Sequence, residues 1–494
     1  MTSSALPAPA ARPDAATGTP LLDTLFGELW PEQDVPGRPR LLAAAGLAGL
    51  LAALVIPFHR LGIGTTSALL AAGLPALVAR WPRRTPYLVA SAVLCGLLLS
   101  TVALRDAVWV SGLCVLAACG VAAVALVDAR GVAGVLASGL AAPLAGLRGL
   151  PWLGRSLRLP GRVGSLWPVL RTATISVLGV SVFGALFSSA DALFASWVDA
   201  LVPDLTVGST LVRVVVGAFA SAVALAAVYV ALNPPRVGRL AAKPAPAARA
   251  FEWLVPVGLV LSLFVGFVAA QLTAMFGGHE YLRATTGLTY AEYVHQGFGQ
   301  LTVATLLTLG VVAIAARKAP RATGRDRLLL RAVLGALCVL TLVVVASALF
   351  RMHVYEEAYG FTRLRLLVSA FEGWLGILVV LVLAAGIRLD GRWVPRAAVV
   401  TGACALLGLS VLNPDGYIAE QNVARYVETG RADWYYLAGL SADAVPTLER
   451  SPAQVRSCVT TLPAAEPDSW LEWNLGRARA EGATLDASAG CVSR

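Results

Sequence analysis

Eleven apolar runs, each about as long as a helix that crosses a bilayer, follow one another between residues 41 and 412. They cover approximately 41–58, 61–79, 87–104, 107–127, 172–190, 211–232, 253–275, 300–316, 328–350, 366–387 and 396–412. Crossing the hydrocarbon core takes about 20 helical residues, and there a helix satisfies its backbone groups within its own segment. The chain is therefore expected to be all-α, a polytopic helical membrane protein of about eleven transmembrane helices, with the lipid bilayer as its first partner. With 57% hydrophobic and 14% charged residues, it has too little polar surface to cover a soluble core of 494 residues.

The stretches between the runs alternate in chemistry. Residues 80–84, 130–171, 236–249, 317–331 and 388–396 hold 22 of the 39 lysines and arginines. Basic loops stay on the cytoplasmic side, so the reading is a multi-pass cell-membrane protein with its amino terminus cytoplasmic and its carboxyl terminus extracytoplasmic. A formal charge of +10 spread over short loops, rather than along one continuous face, excludes nucleic acid as a partner. One further apolar stretch, residues 131–147, contains five glycines or prolines. If it crossed, Arg148, Arg155, Arg158, Arg162 and Arg171 would face outward, so it is expected to be a re-entrant or surface-lying cytoplasmic segment. The resulting organisation is a disordered cytoplasmic tail (1–40), a four-helix block (41–130), the cytoplasmic segment with its basic loop (131–171), a seven-helix block (172–412) and a small helical extracytoplasmic tail (413–494).

Local signals divide that tail. Asn413-Pro414-Asp415 places a cap, a first-turn proline and an acid at a helix start. Ser441 is expected to cap a second helix, with Leu440 and Val445 as a hydrophobic staple, and Ser451 to Gln454 matches a capping box. A fourth helix is expected over 468–480, burying Trp470 and Trp473. Cys95, Cys114, Cys119, Cys338 and Cys404 fall in the apolar runs, whereas Cys458 and Cys491 fall in the tail, where an oxidising compartment favours a disulfide.

The outward segments are dense in aromatic and charged residues. They read SSADALF from Ser188, GLTYAEYVHQGFGQL from Gly287, YEEAYGFTRLR from Tyr355, and NPDGYIAEQNVARY from Asn413 running into DWYYLAGLSADAVPTL from Asp433. In that order these four phrases resemble the bacterial membrane family catalogued as domain of unknown function 4153/4173, over roughly Arg171 to Leu448. The resemblance implies a multi-pass fold in the cell membrane and supplies no activity. Members of that family carry a basic residue where this chain has His295, so an anion-pairing role does not carry over to that position at neutral pH.

Three function classes fit these features. The leading one is a cell-envelope protein whose outward surface binds an envelope protein or a lipid. The second is a secondary transporter with an intramembrane acid. Glu372 lies about two turns into the tenth run, where an ionisable group is either functional or paired, with Arg213 or Arg365 as candidate partners. The third is an extracytoplasmic enzyme on a lipid-linked substrate, using Asp191, Glu292, Arg363 and Arg365 on a phosphate. Candidate substrate-binding residues are Asp191, Tyr290, Glu292, Tyr293, Glu356, Tyr359, Arg363, Arg365 and Glu372. Glu292 with His295, and His353 with Glu356, have the three-residue spacing of metal-binding helices. Neither pair is expected to hold a metal, and no phosphate loop, nucleophile elbow or other cofactor motif is present.

Overall fold

The computed structural model describes residues 26–31, 35–157, 208–240, 249–276, 298–459 and 468–481, together with scattered positions between 172 and 194. Every regular element among them is helical. The long helices are α1 (Pro39–Val55), α2 (Ile63–Arg80), α3 (Pro86–Leu104), α4 (Val108–Val127), α5 (Val132–Arg148), α7 (Gly208–Leu232), α8 (Ala250–Phe276), α9 (Phe298–Lys318), α10 (Gly324–Tyr359), α11 (Arg363–Arg388) and α12 (Val394–Val411), with the short α6 (Leu150–Ser156) following α5. The tail adds α13 (Pro414–Thr429), α14 (Trp434–Ala438), α15 (Val445–Glu449), α16 (Ala453–Cys458) and α17 (Leu475–Ala480).

Nine helices among the described residues are long and apolar enough to cross a membrane, and each overlaps one of the eleven apolar runs. Of the other two runs, the first forms α1, at 17 residues shorter than those nine, and 172–190 lies largely outside the described residues. At the start of three long helices the sequence supplies acceptors for free amides. Thr85 and Thr362 accept from the amides of Leu88 and Arg365, and α10 opens with a capping box in which Thr323 and Asp326 exchange hydrogen bonds.

The helices form two packed groups. α7 lies against α1, α2 and α5, and α3 pairs with α4; α10 packs against α8, α9 and α11. α12 contacts both α4 and α11 and so joins the groups. The turns around Asp128, Arg321 and Leu389 to Arg396 meet at one end of the bundle. There Arg396 donates to Ala129 O and Asp128 Oδ1 (2.7 and 2.5 Å) and covers the Tyr87 ring, while Arg321 reaches Leu389 O.

α5 meets this same end twice. Gly134 sits against Val237, and Gly149 against the Tyr229 ring, both beside the C-terminus of α7; α6 leaves α5 at a 53° bend. Residues 26–31, the described part of the stretch before residue 35, reach the same end. Trp30 is buried, its indole N–H donates to Asn233 O (2.8 Å) at the end of α7, and Arg148 Nε donates to Trp30 O (3.1 Å). An aromatic N–H that terminates a helix carbonyl and packs on Tyr229 gives this segment more than its composition suggests.

The tail also departs from its local signals. Asn413 precedes α13 as expected, but it adopts φ +57° and its side-chain amide donates to Asp443 O instead of capping. Ser451 does not cap α16 and instead donates to Thr447 O. The last helix is shorter than expected, because Asn474 caps it at Gly476 and Arg477, and Trp470 remains 79% exposed rather than buried.

Candidate functional site

At the end opposite the arginine-rich loops, the tail lies over the termini of α2, α3, α4, α11 and α12 and forms a polar cap. Its apolar core is small, built on Phe361, Ile418, Leu437, Leu440, Leu448 and Val455. Charged contacts hold it to the bundle.

Asp415 is the centre of one cluster. It is fully buried and accepts from Arg363 twice (3.0 and 2.5 Å), from the Trp109 indole (3.0 Å) and from the Ser441 amide (2.8 Å). Three segments distant in sequence, the start of α4, the start of α11 and the tail, thus meet on one carboxylate. Burial pushes the Asp415 carboxyl up, but the hydrogen bonds from Arg363 and Ser441 outweigh it and hold the group below the usual carboxylate range. The Tyr436 hydroxyl accepts from the Arg363 amide (2.7 Å), which satisfies a free N–H in the first turn of α11.

A second cluster centres on the α3–α4 turn. Arg105 donates to the last carbonyls of α12, Ser410 O and Val411 O (2.7 and 3.0 Å), where a cation complements the helix dipole. Asp106 accepts from the Ala442 amide and from Arg477 (3.0 and 2.7 Å), and Asp443 accepts from the Ala107 amide (2.8 Å). Burial raises the Asp443 carboxyl against the opposing pull of that amide and of Arg105. Arg477 is nearly buried, makes two 2.9 Å bonds to Asp468, and reaches back to Leu61 O (2.9 Å).

Close backbone approach seats the tail. The amides of Ile63 and Gly64, free at the start of α2, donate to Trp473 O and Leu471 O (3.0 and 2.8 Å). A Cβ on Gly62 would lie 2.4 Å from Glu472 O, so only glycine fits there. In the turn between α10 and α11, Gly360 has φ +86° and the Asn422 side chain pairs with both backbone groups of Phe361 (3.0 and 2.9 Å). Arg425 donates to Glu357 O and Ala358 O (3.0 and 2.7 Å), closing the last turn of α10.

The sequence candidates divide among these surroundings. Arg363 joins the cap through Asp415. Arg365 donates to Tyr359 O and Gly360 O and lies over the Tyr355 ring, while Tyr359 is exposed and stacks near Tyr355. Asp191 accepts from the Phe194 amide (2.7 Å) in an exposed turn. Glu372 is fully buried in α11, far from Arg213, which donates to Ala53 O and Leu54 O. Its Oε2 accepts from Thr302 (2.9 Å). Glu356 is buried at the end of α10, and His353 lies beside Glu357 instead (3.3 Å). Tyr290, Glu292 and Tyr293 lie outside the described residues. Cys458 is disulfide-bonded, and the five cysteines in the apolar runs are free; Cys491 lies outside the described residues.

Arg105, Asp106, Trp109, Asn422, Asn474 and Arg477 were not among the candidates. A signal for two of them existed, since Arg105 and Asp106 are the only charged residues between Pro86 and Val127.

A family model described as a domain of unknown function (DUF4153) matches residues 92–451. The chain belongs to the DUF4153 family. The match begins within α3, earlier than the four outward phrases, and so includes the turn that carries Arg105, Asp106 and Trp109 as well as Arg363 and Asp415. Asn474 and Arg477 lie beyond it. Comparison with curated proteins and with solved structures finds no match.

Proposed function

We propose that this DUF4153 chain is an envelope protein whose cap is a preassembled platform for binding a partner protein on the outer side of the membrane. The observation that carries this reading is the saturation of Asp415. A catalytic acid or base needs a face open to substrate, whereas Asp415 is fully buried and accepts four hydrogen bonds from the protein. What the cap leaves exposed is its rim, with Val427, Glu428, Arg431 and, at 93%, Tyr435. An exposed tyrosine on a rigid support is a residue type favoured at protein interfaces.

The orientation is part of the proposal: arginine-rich end cytoplasmic, cap extracytoplasmic, eleven spans, and 131–157 lying along the cytoplasmic end. It is supported by the gathering of the basic loops away from the cap and by the contacts of Gly134 and Gly149 at the same end of α7. Pairing of Cys458 with Cys491 belongs to the same reading.

Photo-crosslinking from Tyr435 in intact cells is expected to give a discrete protein adduct, absent when the probe sits at the exposed Leu136 of α5. Equal patterns from both positions would refute the platform. For orientation, thiol labelling from outside the cell is expected to reach a cysteine placed at Gly430 and to miss one placed at Thr323; labelling of both overturns the scheme.

A further inference from the structure

We propose that Glu372 and Thr302 form a monovalent-cation site inside the α9–α11 bundle, in which Glu372 Oε1 carries a proton or a sodium ion. Glu372 lies nine residues into α11, about 14 Å from its start at the rise of an α-helix. It is fully buried. Oε2 accepts from Thr302 Oγ1 at 2.9 Å, but Oε1 has no hydrogen-bond partner. No lysine or arginine among the described residues pairs with it. On its own helix, Arg363 is engaged by Asp415, and Arg365 by the carbonyls of the α10–α11 turn. The stretch of α9 before Arg317 has no charged residue, and α8 has only Glu252 at its opposite end. On α10, Arg351 is buried but makes no ion pair with Glu372, and Glu357 faces His353.

A bare carboxylate in such surroundings costs several kcal/mol, so a counter-cation is required, and Oε1 is the atom left to take it. Polar groups continue the site along the bundle. Thr305 and Thr308 follow Thr302 at three-residue spacing on α9, both buried, and their hydroxyls donate to Leu301 O and Ala304 O. Each threonine oxygen thereby keeps a lone pair for a passing cation or water. One turn farther from the cap, a Cβ on Gly376 would lie 3.2 Å from Val345, and this close approach fixes the antiparallel register of α10 and α11. That register puts Glu356, also buried with Oε1 unpartnered, about 10 Å nearer the cap than Glu372.

The test uses the full-length protein in lipid nanodiscs and dicyclohexylcarbodiimide, an apolar reagent that adds a protonated carboxyl across its C=N bond and leaves a stable N-acylurea. Peptide mass spectrometry is expected to find the adduct on Glu372, with labelling faster in acid, and to find none in E372Q. Protection by sodium chloride but not choline chloride assigns the site to sodium; dependence on pH alone assigns it to the proton. T302V, which keeps the volume and removes the donor to Oε2, is expected to change the labelling rate several-fold while E372Q and T302V elute like the wild type. Absence of adduct on Glu372 from acid to neutral pH overturns the proposal, as does labelling of Glu356 with Glu372 untouched. Neither result bears on whether the cap binds a partner.

Discussion

Two fully buried carboxylates, Asp415 in the cap and Glu372 in the bundle, are treated in opposite ways. Asp415 receives four hydrogen bonds, two of them from an arginine, whereas Glu372 receives one, from a threonine. A buried charge that is paired and fully hydrogen-bonded becomes part of the architecture, since removing either partner strands the other. A buried acid left short of partners does little for architecture, and its retention asks for a ligand. The cap spends its charges on itself; the bundle keeps one open.

The contrast is broken most directly by removing each acid in turn. D415A is expected to destabilise the purified protein by about 3–5 kcal/mol, the cost of leaving a buried partner charge uncompensated, read as denaturant or thermal unfolding in detergent. A loss under about 1 kcal/mol would mean that the cluster is ornamental to stability. Because the Asp415 carboxyl is held below its ordinary value, its contribution is present above an unfolded value of about 4 and is lost as pH falls through the folded value. D415N should flatten that acid limb.

Next in size is the seating of the tail. G62V puts side-chain carbon against Glu472 O and is expected to cost about 1–3 kcal/mol, and to make the bonds after Arg477 and Arg479 cleavable by trypsin while the helices stay protected. Unchanged proteolysis would show that the tail is held without the close approach. N422A should cost about 1–3 kcal/mol by orphaning the N–H and C=O of Phe361, with the same readout. Smallest, and opposite in tendency, is E372Q: replacing a carboxyl that no basic side chain among the described residues pairs with should leave stability within about 0.5 kcal/mol of wild type or raise it. A large loss would place Glu372 among the structural acids with Asp415.

Much of the bundle was legible in the chain because length and apolarity are local properties. The start of α13 at Pro414 was legible for the same reason. The cap contacts were not. Arg477 looks in sequence like an ordinary solvated loop charge until Asp106 and Leu61 arrive, and nothing local to Arg363 names Asp415 as its partner. Local capping rules failed where tertiary acceptors competed, as when the Asn413 amide turned to Asp443 O. The expected burial of Trp470 and Trp473 failed because polar groups, Asn474 and Arg477, anchor that segment, leaving Trp470 exposed beside an apolar groove of about 450 Å³ between α1 and α2. Among the candidates, Arg363 and Glu372 are both charges on one helix in the sequence, and only packing separates the one bound to Asp415 from the one whose hydrogen-bond donor is a threonine.

Arg477 joins Leu61 and Asp106 across more than three hundred residues of intervening chain. A ribosome delivers α1 to α4 long before it delivers this side chain, so the α1–α2 and α3–α4 turns wait through most of synthesis with their carbonyl and carboxylate unclaimed. The closing of the cap is therefore a late event of biogenesis, and a chain interrupted before residue 477 would display, on the face away from the arginines, an open acidic turn that a quality-control protease could read as unfinished.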